Sequence, residues 1–100
     1  MKLYVDDDKI YRKPPDNTWV RAYSYKETID FLKTNKVSHL DLDHDLGEVM
    51  DGLDIMKWLL NRAIRDSSFN LPEITFHSAN VVGTKNMQGY LKDLENFRKD

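Results

Sequence analysis

The chain has 100 residues, no cysteine, 15 Lys plus Arg against 17 Asp plus Glu, and a formal net charge of −2. That length suits one domain spanning residues 1–100, with one modest core. The absence of cysteine excludes a disulfide framework, a thiolate zinc site and a cysteine nucleophile, and the near-balanced charge argues against a non-specific nucleic-acid binder.

The longest apolar runs are a few residues, so nothing reads as a membrane span. The opening Met1-Lys2-Leu3-Tyr4-Val5 turns acidic at once and lacks a signal-peptide pattern, which makes the cytoplasm the expected location. Leu3-Tyr4-Val5 is a first short strand, stopped by three aspartates. Pro14 and Pro15 then forbid a helix and favour a turn. Trp19 to Ala22 is a second strand. Ser24 and Glu27 have capping-box spacing, and the helix behind them aligns Tyr25, Ile29 and Leu32. It should stop near Asn35, a residue that tolerates a left-handed conformation. Residues 37–42 form the next strand. Residues 53–64 are the clearest helix, with Leu53, Met56, Leu60 and Ala63 on one stripe. Ile74-Thr75-Phe76 is a fourth strand beyond Pro72, and Met87, Tyr90, Leu91, Leu94 and Phe97 define a last helix.

The order β-β-α-β-α-β-α predicts an α/β fold: a three-layer open parallel sheet of about four strands, with right-handed crossovers. About a dozen residues can join the first two strands in parallel without a helix.

Three of the four strands end in chemically active residues: Asp6-Asp7-Asp8, Asp41-Leu42-Asp43-His44-Asp45, and His77-Ser78-Ala79-Asn80. Ligands of open α/β sheets bind outside the carboxyl ends of the strands, where strand order reverses. If strands one, three and four are neighbours, these clusters converge. Carboxylates at such density repel one another unless a cation is present, and hard oxygen ligands favour Mg²⁺ or Mn²⁺. Some of these residues have plainer uses. Asp8 and Asp45 suit caps or solvent, Ser78 and Asn80 suit turns, and His39 suits a structural place early in its strand. Lys9, Arg12 and Lys13 read as a solvated loop, with phosphate contact as the alternative.

Two superficial motifs fail. Asp41, Asp43 and Asp45 have the spacing of an EF-hand start, but Leu46 and Gly52 stand where that loop needs Gly and Glu. The pair Asp41 and Asp43 is also similar to haloacid-dehalogenase-type phosphatases, whose usual core is longer than this chain.

The layout resembles the receiver domain of two-component signalling. Asp6 and Asp7 match its acidic pair, Asp43 its phosphate-accepting aspartate, Asp51-Gly52-Leu53 the opening of its next helix, and Ser78 its hydroxyl residue. The departures are the missing first helix, the missing fifth strand with its phosphate-binding lysine (Lys85 is the nearest substitute), and the presence of His44 and His77. These departures resemble a narrower group, the cyclic-phosphate processing receiver-like family of phages and bacteria. The stretches that carry this likeness are residues 3–8, residues 42–47, residues 53–59 and His77-Ser78-Ala79-Asn80. The resemblance implies a truncated flavodoxin- or receiver-like fold and the handling of cyclic phosphate in RNA repair or phage–host conflict, in the host cytoplasm if phage-encoded.

The residue chemistry suits a metal-dependent phosphoesterase acting on 2′,3′-cyclic phosphate RNA ends or cyclic nucleotides. His44 and His77 would be the acid/base pair. Asp6, Asp7 and Asp43 would be ligands of Mg²⁺ or Mn²⁺. Ser78, Asn80 and Lys85 would contact phosphate, helped by the helix N-terminus that follows. Direct attack by Asp43 is the receiver-type variant. The expected partner is a phosphate-bearing nucleotide or RNA end, and no membrane. Two alternatives belong to other classes: a non-catalytic module that binds a nucleotide or a host protein, and a degenerate phosphorelay receiver.

Overall fold

A computed structural model describes residues 1–98 of the chain. Its elements follow the expected order: β1 (Lys2–Val5), β2 (Trp19–Ala22), α1 (Tyr25–Thr34), β3 (His39–Leu42), α2 (Gly52–Arg65), β4 (Glu73–Phe76) and α3 (Val81–Arg98). No helix among the described residues is long and apolar enough to cross a membrane.

Local chemistry sets the helix ends. Ser24 caps α1 by accepting the Glu27 backbone N–H at 3.1 Å, while Glu27 turns back to accept the Tyr23 N–H at 3.1 Å. The first bond satisfies one donor that the first turn leaves without a helical partner; the second reaches the residue before the cap, so the reciprocal bond to the Ser24 N–H expected of a capping box is replaced by one to Tyr23. Asn35 ends α1 in extended backbone at φ −135°, not in the left-handed conformation expected of it, and its N–H still bonds the Phe31 carbonyl. Asp51 and Asp54 form a reciprocal capping box that starts α2.

The four strands are parallel and ordered β2-β1-β3-β4. The connections β2-α1-β3 and β3-α2-β4 step across the sheet in the same direction. Right-handed crossovers therefore put α1 and α2 on one face, and α3 packs along α2. All three helices share a single core with that face: Leu3, Val5, Leu40 and Leu42 from the strands, Ile29 and Leu32 from α1, Ile55, Met56 and Leu59 from α2, Met87 and Leu94 from α3. Burying one such large aliphatic side chain stabilises the fold by about 1.5–3 kcal/mol.

The connection from β1 to β2 steps the opposite way and carries no helix. The third, helical layer expected from the sequence is therefore absent among the described residues: without a helix between β1 and β2, that side of the sheet is covered thinly, by side chains and loop. Lys2 lies 5.6 Å from the centre of the Trp19 ring, Trp19 meets His39 edge-on, and His39 pairs with Glu73 at 3.3 Å. This is the structural place expected for His39. Arg21 lies over Tyr4 and over Tyr23, at 5.6 and 5.1 Å from the ring centres. Its Nη2 donates to the carbonyls of Asp8 and Arg12 at 2.8 and 2.9 Å, which pins the loop across the sheet edge.

Candidate functional site

The chain leaves β1 toward β2 on one side and returns to β3 on the other, so strand order reverses beside β1. The ladder register then places the site. Val5 pairs with Leu42, and Leu42 with Phe76. Hydrogen bonds continue one residue further: Asp6 N to Ala22 O at 3.1 Å, Asp43 N to Val5 O at 3.0 Å, and His77 N to Leu42 O at 3.0 Å. Asp6, Asp43 and His77 are thus held abreast on three strands. Side-chain direction alternates along a strand, so all three project away from the face that buries Val5, Leu42 and Phe76.

Asp6 is 1% exposed and Asp43 3%. One ligating atom from each of Asp6, Asp43 and His77 lies within 4.8 Å of the others. Burial raises the pKa of Asp43. The Ser78 hydroxyl pulls it down, the Asp6 charge pushes it up, and Arg12 and His77 pull it down again, with a net upward direction. Burial alone would lower the pKa of His77, but the hydrogen bond and charge of Asp41, followed by those of Asp6, carry it upward. The geometry agrees: His77 Nδ1 is 2.8 Å from Asp41 Oδ1, and Nε2 is 2.9 Å from Asp6 Oδ2. Two carboxylates facing two ring nitrogens are matched when both nitrogens carry hydrogen. The imidazole also stacks on Tyr4, with centroids 4.3 Å apart and planes 8° from parallel.

A cleft of about 340 Å³ opens above these groups, lined by Asp6, Asp7, Asp8, Arg12, Asp43, Asp45, Gly47, Ser78 and Ala79. Asp7 is exposed at its rim, with Oδ2 against Gly47. Gly47 has φ +66°, and a Cβ there would stand 2.8 Å from that oxygen, so both the backbone and the space favour glycine. Arg12 reaches the floor: Nη1 donates to Asp43 Oδ2 at 2.9 Å and lies 3.6 Å from Asp6 Oδ2.

The expected residues therefore divide. Asp6, Asp7, Asp43 and Ser78 share the cleft, and His77 touches Asp6 from beside it. His44 does not line the cleft. Its Nδ1 bonds Asp45 at 2.9 Å, its Nε2 is 3.6 Å from Asp51, and its ring fills the space where a Gly83 Cβ would stand. The two histidines consequently do not face each other across one phosphate position in this structure. Asn80 caps α3, its Oδ1 accepting the Gly83 N–H at 2.8 Å, and its amide approaches Asp45. Lys85 also lies outside the lining. Gly83 and Met87 face inward on α3, which leaves Lys85 exposed between them.

Three contributors were not among the expected site residues. Asp41 orients His77, Arg12 supplies a cation beside Asp43, and Arg21 fixes the loop that carries Arg12. Asp41 left one signal, a charge two residues before Asp43 on the same face of a strand. Arg12 left only its charge, shared with Lys9 and Lys13 in a loop without period, which offers phosphate contact but not its place beside Asp43.

The donor set fits a small divalent cation. Two buried carboxylates and an imidazole nitrogen converge, and they already draw a guanidinium as counter-charge. An imidazole nitrogen beside the carboxylates suits Mn²⁺ better than the harder Mg²⁺, which prefers oxygen ligands. Residues 1–93 match the family model described as the cyclic-phosphate processing receiver domain. Comparison with curated proteins and with solved structures gives no significant match.

Proposed function

The chain belongs to the cyclic-phosphate processing receiver family, and from that premise we propose that it is a metal-dependent phosphoesterase that opens a cyclic phosphodiester. The substrate class is a 2′,3′-cyclic phosphate RNA end or a cyclic nucleotide. The observation that carries the reading is the convergence of buried Asp6 and Asp43 with His77 under a cleft at the reversal point of the sheet.

Asp6 and Asp43 would hold Mg²⁺ or Mn²⁺, with Asp7 at the rim and His77 Nε2 as further donors. When bound, such an ion polarises a phosphoryl oxygen and acidifies coordinated water. Asp41 then acts on His77: it accepts the Nδ1–H, fixes the tautomer and turns Nε2 toward the cluster. Ser78, beside Asp43, offers its hydroxyl to a phosphoryl oxygen. In ring opening, water would give up a proton to the Asp45–His44 pair as its oxygen bonds to phosphorus, one ester P–O bond would break, and the departing alkoxide would take a proton back from that pair. We assign proton transfer to His44 together with the cleft-lining Asp45 that it bonds.

A second reading has its own support. Arg12 places a cation next to Asp43, where a receiver uses the phosphate-binding lysine that this chain lacks. In that reading Asp43 attacks a phosphodonor and carries an acyl phosphate.

The test is a panel of 2′,3′-cyclic nucleotides, cyclic-ended RNA and cyclic dinucleotides, incubated with Mg²⁺ or Mn²⁺ and analysed by mass spectrometry beside Asp43→Asn. Turnover that disappears in the variant supports the phosphoesterase. Unchanged substrate throughout refutes it, and base-labile labelling of Asp43 by acetyl phosphate would then favour the second reading. Binding without product would instead favour a non-catalytic module.

A further inference from the structure

The Arg12 guanidinium occupies the convergence point of the acidic cluster. Nη1 is 2.9 Å from Asp43 Oδ2 and 3.6 Å from Asp6 Oδ2. That same Asp6 oxygen is 2.9 Å from His77 Nε2. A small divalent ion such as Mg²⁺ bonds carboxylate oxygen at about 2.0–2.1 Å. An ion bridging these two carboxylates would therefore lie almost in contact with Nη1, with like charge against like charge. The space between Asp43 Oδ2 and Asp6 Oδ2 holds the guanidinium or a divalent ion, not both.

The side chain that would have to leave is free to do so. The Arg12 side chain is 41% exposed, and it rises from a connection without helix or strand. Its backbone stays in place, because Arg21 Nη2 bridges the carbonyls of Asp8 and Arg12. The anchor fixes the root of the side chain, so its release needs only a side-chain rotation.

An anionic substrate needs that released charge. Among the described residues lining the cleft, five are aspartates and Arg12 is the one cation. A phosphate entering beside five carboxylates is repelled unless a guanidinium meets it, and the planar fork of arginine suits two phosphoryl oxygens.

We propose that Arg12 is a movable counter-cation: it neutralises Asp6 and Asp43 in the metal-free protein, is displaced when a divalent ion takes those carboxylates, and then binds the phosphoryl group. Arg21 is its positioning residue. The inference rests on the metal-bearing reading of the site and adds an order to it, metal before phosphate.

The test measures Mn²⁺ affinity by electron paramagnetic resonance of the free ion, and inorganic phosphate affinity by calorimetry in saturating Mg²⁺. The proteins are the wild type, Arg12→Gln, Arg12→Lys and Asp43→Asn, each checked for folding by circular dichroism. Arg12→Gln should bind Mn²⁺ roughly ten-fold or more tightly than the wild type, within the range usual for coupled sites. It should also bind phosphate at least roughly ten-fold more weakly. Arg12→Lys keeps the charge and loses the fork, so its Mn²⁺ affinity should stay near wild type while its phosphate affinity falls. Equal or weaker Mn²⁺ binding by Arg12→Gln, with Asp43→Asn losing the ion, overturns the inference alone. Undiminished phosphate binding by Arg12→Gln also overturns it. No Mn²⁺ binding to any of the four proteins overturns the inference and the metal-bearing reading together.

Discussion

Gly52→Ala tests how closely α2 is seated on the site. A Cβ built at Gly52 would stand 2.2 Å from the Asp43 carbonyl oxygen, and 3.0 Å from both His44 Cα and Met87 Sδ. Two of these three obstacles are or adjoin backbone, so rotamer changes cannot clear them. The Gly52 N–H also donates to the His44 carbonyl at 2.8 Å, which ties the first turn of α2 to the end of β3. Relief requires the helix and the β3 end to separate by roughly 1 Å, and overpacking of that kind costs about 1–3 kcal/mol. Helix propensity acts the other way, favouring alanine by up to about 1 kcal/mol. Gly47 is the residue with positive φ among the described residues, so backbone conformation adds no penalty at Gly52 and the steric effect stands alone. The balance is a loss of roughly 1–2 kcal/mol, or about 5–15 °C in Tm for a domain of this size.

Gly89→Ala is the internal control. It makes the same substitution in an exposed part of α3, and a Cβ there meets nothing within 4 Å. Propensity alone should raise stability by about 0.5–1 kcal/mol. Thermal and urea unfolding followed by circular dichroism compare the two. Opposite signs are expected, with unchanged urea slopes. If Gly52→Ala melts within about 1 °C of wild type, or gains stability as Gly89→Ala does, the close seating of α2 on the Asp43 backbone is refuted.

Further outcomes follow from the same geometry. Arg21→Lys loses the two-carbonyl bridge and the guanidinium packing between Tyr4 and Tyr23. Substrate KM should therefore rise several-fold with kcat less affected, and unchanged kinetics would deny the loop anchor. The folded-state pKa of His77 lies above its ordinary 6.5. The clamp to Asp41 and Asp6 is then fully stabilising below about pH 6.5 and is lost as pH rises through the folded value. With chelator present, the Tm gap between wild type and His77→Gln should shrink from about pH 6 to about pH 9, and a gap that widens would exclude the imidazolium. His44 lies outside the cleft lining, so His44→Ala should lower turnover less than Asp43→Asn does. Equal loss in both would mean that the ring swings into the cleft during turnover.

The order of elements, the helix start at Ser24, and the place of Asp6, Asp43 and His77 at the carboxyl ends of their strands were legible in the amino-acid sequence; the start at Asp51 came from the family resemblance, and the convergence of the three waited on the strand order. Hydrophobic period and capping spacing are local signals, and a polar residue immediately after a strand marks the carboxyl edge wherever that strand lies in the sheet. Three further features were decided by the tertiary structure. Asp41 became the partner of His77 because β3 and β4 pair with Leu42 opposite Phe76, a register that no single strand encodes. His44 turned from the cleft because α3 brings Gly83 against its ring. Arg12, read as loop, became the counter-charge of Asp43, 31 residues away. That pairing depends on Arg21, on a neighbouring strand, holding the loop backbone across the sheet edge. Pairings of this kind are set by strand order and by which backbone groups a distant side chain can reach, and those distances exist only once the sheet has formed.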